Sequence, residues 1–207
     1  MSDGDEPTAT RVADDDAAAA LAAAEGWLLE RELFGIRPGL ERMQALLARL
    51  ENPQDAFDAI HVVGSNGKSS TVTIAAALLE RRGIPAGAYV SPHLVSFRER
   101  VLIGGEPADP GRFAAAVMRV RDAALLLEQE GTLDGEVTQF EAVTAAAFVA
   151  LRDARVACAV IEAGLGGRWD ATNVLPTKQP LTRRRSVAVL TSVSLEHTRW
   201  LGDTVTA

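Results

Sequence analysis

Short apolar runs separated by longer stretches of helical period leave this chain of 207 residues few folds to adopt. Residues 60–63 (Ile-His-Val-Val), 86–90, 156–161 and 187–191 are too short for helices, and each is apolar throughout or nearly so. Strands buried on both faces of a parallel sheet read this way. Residues 100–103, ahead of Gly104-Gly105, read as a short hairpin arm. Helical spacing covers the rest. An Ala-rich helix is expected over residues 17–33, and a second over 39–50 with Leu40, Met43, Leu46, Leu47 and Leu50 on one face. A third follows Lys68 and ends at Arg81-Arg82-Gly83, where a basic last turn and a glycine suit a helix C-terminus. A fourth aligns Phe113, Val117, Val120, Ala124 and Leu127, and a fifth opens on the capping box Thr138-Gln139-Phe140-Glu141. Strand and helix in alternation imply an α/β fold: a mostly parallel sheet flanked by helices. Ligands on such a sheet bind at the carboxyl ends of its strands.

Each unusual polar cluster in the chain falls at such an end. Gly64-Ser65-Asn66-Gly67-Lys68-Ser69-Ser70 joins the first strand directly to a helix. Glycines let several N–H groups turn toward one anion, the helix N-terminus adds positive potential, and Lys68 supplies a point charge for phosphate. The general phosphate-loop pattern asks for a glycine where Val62 stands, so the match is to a shorter variant, Gly-x-x-Gly-Lys-Ser. Glu162 ends the strand over 156–161 and leads into Ala163-Gly164-Leu165-Gly166-Gly167. A carboxylate there suits Mg2+ beside a phosphate loop, and it suits a simple turn cap equally well. Ser91-Pro92-His93 follows another strand, and Thr191-Ser192-Val193-Ser194-Leu195-Glu196-His197 follows the last.

Charge and cysteine content exclude other classes. Six acids against Arg11 in the first 16 residues carry −5 of the formal −7, leaving −2 elsewhere. A nearly neutral domain lacks the basic stripe that nucleic acid demands, and the run Arg183-Arg184-Arg185 reads as a solvated loop. Residues 1–16 read as a disordered acidic tail. Cys158 is the single cysteine, so no internal disulfide forms. No apolar run reaches the length of a membrane span and the N-terminus lacks a signal peptide's pattern, so a cytoplasmic location is expected.

The chain resembles the folylpolyglutamate synthase and dihydrofolate synthase family, within the Mur-type amide ligases. The residues that carry the resemblance include Gly39-Leu40-Glu41-Arg42, His61 through Lys68, Ser91-Pro92-His93-Leu94, Thr138 with Phe140-Glu141, Glu162 through Val174, and His197-Thr198. The match runs from about Gly35 to the last residues. It implies a P-loop NTPase-like fold, that of a Mur ligase central domain. It implies ATP as co-substrate, its phosphates on Gly64, Ser65, Asn66, Gly67, Lys68, Ser69 and Ser70, and Mg2+ held by Ser91, Glu162 and His197. Lys68, Glu162 and His197 would be the catalytic set. A pterin ring would sit near Pro38, Gly39, Leu40, Thr138, Phe140, Trp169, Asp170 and Ala171, with Phe140 as a flat face and Asp170 toward the ring's amino-substituted edge. Thr138 and Glu141 form a capping box whether or not folate binds, and Phe140 also suits a core.

The implied activity is ATP-dependent addition of L-glutamate to folate or dihydropteroate through an acyl phosphate, by a protein expected to be a monomer. Two departures stand beside it. Ser69 stands where the folate enzymes usually carry Gly, and in this it resembles the peptidoglycan branch. The family also continues past the Gly202-Asp203-Thr204 segment, so residues 17–207 read as an ATP-binding domain incomplete at its C-terminal end, with the C-terminal ligase domain absent. A Mur-type ligase for another acid and a non-catalytic nucleotide-binding remnant remain the alternatives.

Overall fold

The computed structural model describes residues 6–35, 37, 39–176, 185–195 and 197–204. Pro38, Arg183, Arg184 and Glu196, named above, lie outside the described residues. In chain order the elements are α1 (Glu6–Glu30), α2 (Glu41–Arg49), β1 (Asp58–Val63), α3 (Lys68–Arg81), β2 (Ala86–Tyr89), β3 (Val101–Ile103) and β4 (Glu106–Pro107). They continue with α4 (Pro110–Gln129), α5 (Gln139–Asp153), β5 (Cys158–Glu162), β6 (Ser186–Leu190) and α6 (Thr198–Leu201).

One six-stranded sheet runs in the order β4-β3-β2-β5-β1-β6. The pairings β2–β5, β5–β1 and β1–β6 are parallel, while β2–β3 and β3–β4 are antiparallel. The physical reason for the exception is the link after β2, which holds a 3-10 turn over Phe97–Arg100 but no crossover helix to return a parallel strand. In the parallel part the carboxyl ends of β2, β5, β1 and β6 lie side by side along one rim.

The helices divide unequally between the faces. The large core joins α1, α2, α4 and α5 to one face through Leu28, Met43, Leu47, Phe113, Phe148 and Leu151, while α3 covers the other through Val72 against Val62, Ala88 and Val160. Helix α5 is buried from Glu141 through Leu151, and its many alanines let it nest against sheet and neighbours together. Its start is fixed by two reciprocal bonds: Thr138 accepts from the Glu141 N–H, and the Glu141 carboxylate accepts from the Thr138 N–H. Asp109 caps α4, accepting from the Arg112 N–H at 2.9 Å, with Pro110 at the first helical position.

The N-terminus needs a correction. Residues 6–16, read from the sequence as part of a disordered tail, form the first turns of α1. Alanine has the highest helix propensity, so the Ala-rich stretch propagates the helix backward. Acids near a helix N-terminus also interact favourably with its dipole. Among the described residues no helix is long and apolar enough to cross a membrane.

Candidate functional site: a phosphate loop beside an apolar cavity

Strand β1 delivers the loop to the rim, and helix α3 begins within it. Gly64 has φ +134°, and a Cβ there would lie 2.1 Å from Thr191 Oγ1, so only glycine lets this turn pass the end of β6. Gly67 takes a left-handed conformation (φ 83°) before α3. This leaves the N–H groups of the helix's first turn facing the loop, outside the helical ladder. The Lys68 ammonium donates to the carbonyls of Gly64 (2.7 Å) and Ser65 (3.1 Å). The segment after β6 braces the loop: the Ser65 N–H donates to the Ser192 carbonyl at 2.8 Å, and its hydroxyl donates to the Ser194 carbonyl at 3.0 Å. Ser70 lies exposed on the first turn of α3.

Glu162, the last residue of β5, ties that loop to the next strand end. Its Oε1 accepts from the Ser69 hydroxyl at 2.9 Å and its Oε2 from the Ser91 N–H at 3.2 Å. Only 3% of the residue is exposed. Burial pushes its carboxyl above the usual range, opposed by the Ser91 N–H, the Ser69 hydroxyl and the Lys68 charge. The residue at position 69 that departs from the folate pattern is therefore the one bonded to this acid. His197 begins α6 in a left-handed conformation (φ 48°) and lines the same cavity as Ser91. The structure thus brings Ser91 and Glu162 into direct contact and sets His197 on the adjoining cavity.

That cavity holds about 370 Å3. Of the residues read from sequence as a ring site, Gly39, Thr138, Phe140, Trp169, Asp170 and Ala171 line it. Leu40 does not. It is the residue before α2 and turns with that helix, one position off the wall. Phe140 packs so closely on the Gly164 backbone that a Cβ at Gly164 would come within 2.5 Å of the ring. Trp169 is 54% exposed and stacks under the Arg168 guanidinium.

Two predicted polar roles are already committed elsewhere. The Asp170 Oδ2 accepts from the Leu165 N–H at 2.7 Å, and its Oδ1 accepts from both the N–H and the hydroxyl of Thr172. The Thr138 hydroxyl donates to Glu141 Oε2 at 2.9 Å. Both residues build the wall before any ligand arrives.

Sequence reasoning gave no role to the cations of this cavity, Arg37, Arg100 and Arg168. Arg100 is only 9% exposed, donates to His93 Nδ1 at 2.9 Å, and forms no ion pair among the described residues. The cavity's acids are satisfied, since Glu141 is bonded to the buried Arg42 at 3.1 Å and Asp170 to its own loop. The unbalanced charge is positive. A flat apolar wall with an unpaired buried cation suits an aromatic acid. Arg100 is among the residues that carry the family resemblance, yet its place at the start of a short hairpin arm gives no sign of a buried charge.

No family model matches the chain. A dihydrofolate synthase/folylpolyglutamate synthase of Bacillus subtilis is 37% identical over 183 residues, covering 88% of this chain and 40% of that protein. Folylpolyglutamate synthase of Mycobacterium tuberculosis, solved in complex with ADP and AMPPCP, superposes with a TM-score of 0.78 at 36% identity, over 91% of this chain and 40% of that one. An FPGS–AMPPCP–folate complex gives a TM-score of 0.78 at 36% identity, over 90% of this chain and 43% of that one. The chain therefore spans about 40% of the length of the relatives it matches. Over that length, in sequence and in fold, it matches the N-terminal portion of the folylpolyglutamate and dihydrofolate synthases.

Proposed function

We propose that this chain is the ATP- and acid-binding part of a ligase that joins L-glutamate to folate or dihydropteroate. The single observation that carries the reading is Glu162. One carboxylate bonds both the first turn behind the phosphate loop and the strand end that opens the aromatic, cationic cavity. A γ-phosphate in the loop and a carboxylate in the cavity would be held at the same rim. In the proposed reaction the acid's oxygen attacks the γ-phosphorus and ADP leaves. The amine of glutamate then attacks the acyl carbon and phosphate leaves, forming the amide. Lys68 exchanges its loop carbonyls for phosphate oxygens, and the buried Arg100 takes the acid. Placing the two partners and balancing their charge supplies most of the acceleration such a site can offer.

The rim also fits a magnesium ion. Among the described residues no cluster of three or more His, Cys, Asp or Glu exists. A divalent ion here would take the Glu162 carboxylate, the Ser91 hydroxyl and the His197 imidazole, completed by water and phosphate oxygens; every donor but the imidazole is the oxygen that magnesium favours. When bound it would neutralise charge on the phosphates. A desolvated carboxylate such as Glu162 gains more from a cation than an exposed one does. The same reading makes the protein a cytoplasmic monomer, which sedimentation and cell fractionation test.

Lys68→Ala is expected to lower ATP affinity at least about a hundredfold, two charge-assisted bonds being lost, while pteroate affinity stays within about twofold. Calorimetric titration reads both. Equal ATP affinity in the variant and the wild type would remove the basis for the assignment.

A further inference from the structure

The phosphate loop and the acid cavity are also joined beneath the rim, by a buried chain of hydrogen bonds that the reaction itself does not use. His61 sits near the end of β1, three residues before Gly64, and is 8% exposed. Its strand neighbours Ile60 and Val62 belong to the cluster packed on α3, so alternation turns the imidazole to the opposite face. There its Nε2 lies 2.8 Å from Thr172 Oγ1, across 111 positions of chain. Thr172 is wholly buried. Its hydroxyl has one proton, and it gives that proton to Asp170 Oδ1, because a carboxylate accepts and does not donate. The hydroxyl must then accept from His61, which fixes the Nε2–H tautomer. Asp170 finishes the chain by accepting from the Leu165 N–H. The run from Leu165 to Ala171, which includes Trp169, is the cavity wall this chain secures.

We propose that His61 is a positioning residue: acting through Thr172 and Asp170, it holds the acid-binding wall in register with the strand that carries the phosphate loop. The proposal deepens the ligase reading and rests on it for the identity of the acid. Three properties favour the role. The imidazole lies on the buried face of β1 and does not line the cavity. The three side chains are all buried, and His61 and Thr172 each give a proton to the next while Asp170 only accepts, so a missing link leaves a desolvated polar group. Burial lowers the His61 pKa, against the raising influence of Asp170, which favours the neutral imidazole, and the Thr172 contact sets its proton on Nε2.

Three variants of the full chain test it. His61→Ala removes the donor, and Thr172→Val removes the middle hydroxyl at nearly constant volume. His61→Gln keeps an N–H that reaches the same distance along the side chain as Nε2. Two quantities are measured: hydrogen exchange at the Leu165 amide by NMR, and affinity for pteroate and for ATP, with Trp169 emission as the reporter in the cavity. Loss of one buried hydrogen bond corresponds to about tenfold. His61→Ala and Thr172→Val are therefore expected to speed Leu165 exchange and weaken pteroate binding by about tenfold each, with ATP affinity within about twofold, and His61→Gln to restore most of both. Unchanged Leu165 exchange in both disruptive variants overturns the proposal. So does a His61→Gln variant as impaired as His61→Ala. Should wild-type protein fail to bind pteroate, the ligase reading falls. The Leu165 exchange series, which needs no ligand, would still decide the relay.

Discussion

At the scale of single residues, burial and charge decide protonation before any ligand is present. Burial holds the His61 imidazole below its ordinary value near 6.5, although the Asp170 charge pulls it upward. The folded protein therefore keeps this side chain neutral where the unfolded chain begins to take a proton. The unfolded state binds more protons below that value, so stability is complete above it and is lost as pH falls from about 6.5 toward the lowered pKa of the folded state. The expected outcome is a larger drop in urea midpoint between about pH 7.5 and about pH 5.5 for the wild type than for His61→Gln. Equal drops would mean that the histidine binds its proton in the folded state as readily as in the unfolded one. Tyr89 shows the same rule in an acid: burial pushes its phenol up to about 12 while its hydroxyl stays bonded to Thr144. It sits under Phe140 as part of the cavity's foundation, with its proton in place throughout the ordinary range.

At the scale of elements, the turn between β1 and α3 is the least tolerant segment, and Gly64 tests it. A methyl group there would meet Thr191 Oγ1 at 2.1 Å and the Ser192 carbonyl at 3.1 Å, in a backbone conformation that side chains resist. Gly64→Ala is expected to displace the loop from its brace after β6. ATP affinity should fall at least about tenfold and stability by about 1–3 kcal/mol, the usual cost of strain at such a position; calorimetry and urea denaturation read the two. The sequence announced this turn clearly, because a strand, a glycine-lysine cluster and a helix follow one another without a gap. It announced α5 equally well through the Thr138–Glu141 box, whose two bonds both form. It misjudged the start of α1, where acidic residues hid the alanines' helical preference. The antiparallel hairpin of β3 and β4 was half visible: Gly104-Gly105 marked its turn, and pairing with β2 depends on contacts that no local pattern encodes.

At the scale of the whole molecule, one rim gathers what the chain scatters between Gly39 and His197, and only part of that convergence is written locally. Polar residues at strand ends were legible because a parallel sheet sends all its carboxyl ends one way. The cations of the cavity were not, since Arg100 becomes buried only when the segment after β2 folds back against the cavity. Glu25 of α1 helps anchor that segment, accepting from the Ser96 hydroxyl at 2.6 Å and from the Phe97 N–H at 2.8 Å. On the proposed reading the loop and the cavity share a rim yet bind separate ligands, and each ligand should stabilise the fold separately. A ligand at about a hundred times its Kd adds about 2.7 kcal/mol to the native state, on the order of 5–10 °C in Tm for a chain of this size. ATP and pteroate are each expected to raise Tm by that order, and together by at least the sum. Lys68→Ala should cancel the shift from ATP and keep the one from pteroate; Arg100→Met should do the reverse, since its charge lies in the cavity. Scanning fluorimetry with each ligand alone and with both reads all these combinations. A variant that loses both shifts at once would mean one merged site, and the division into loop and cavity would have to be redrawn.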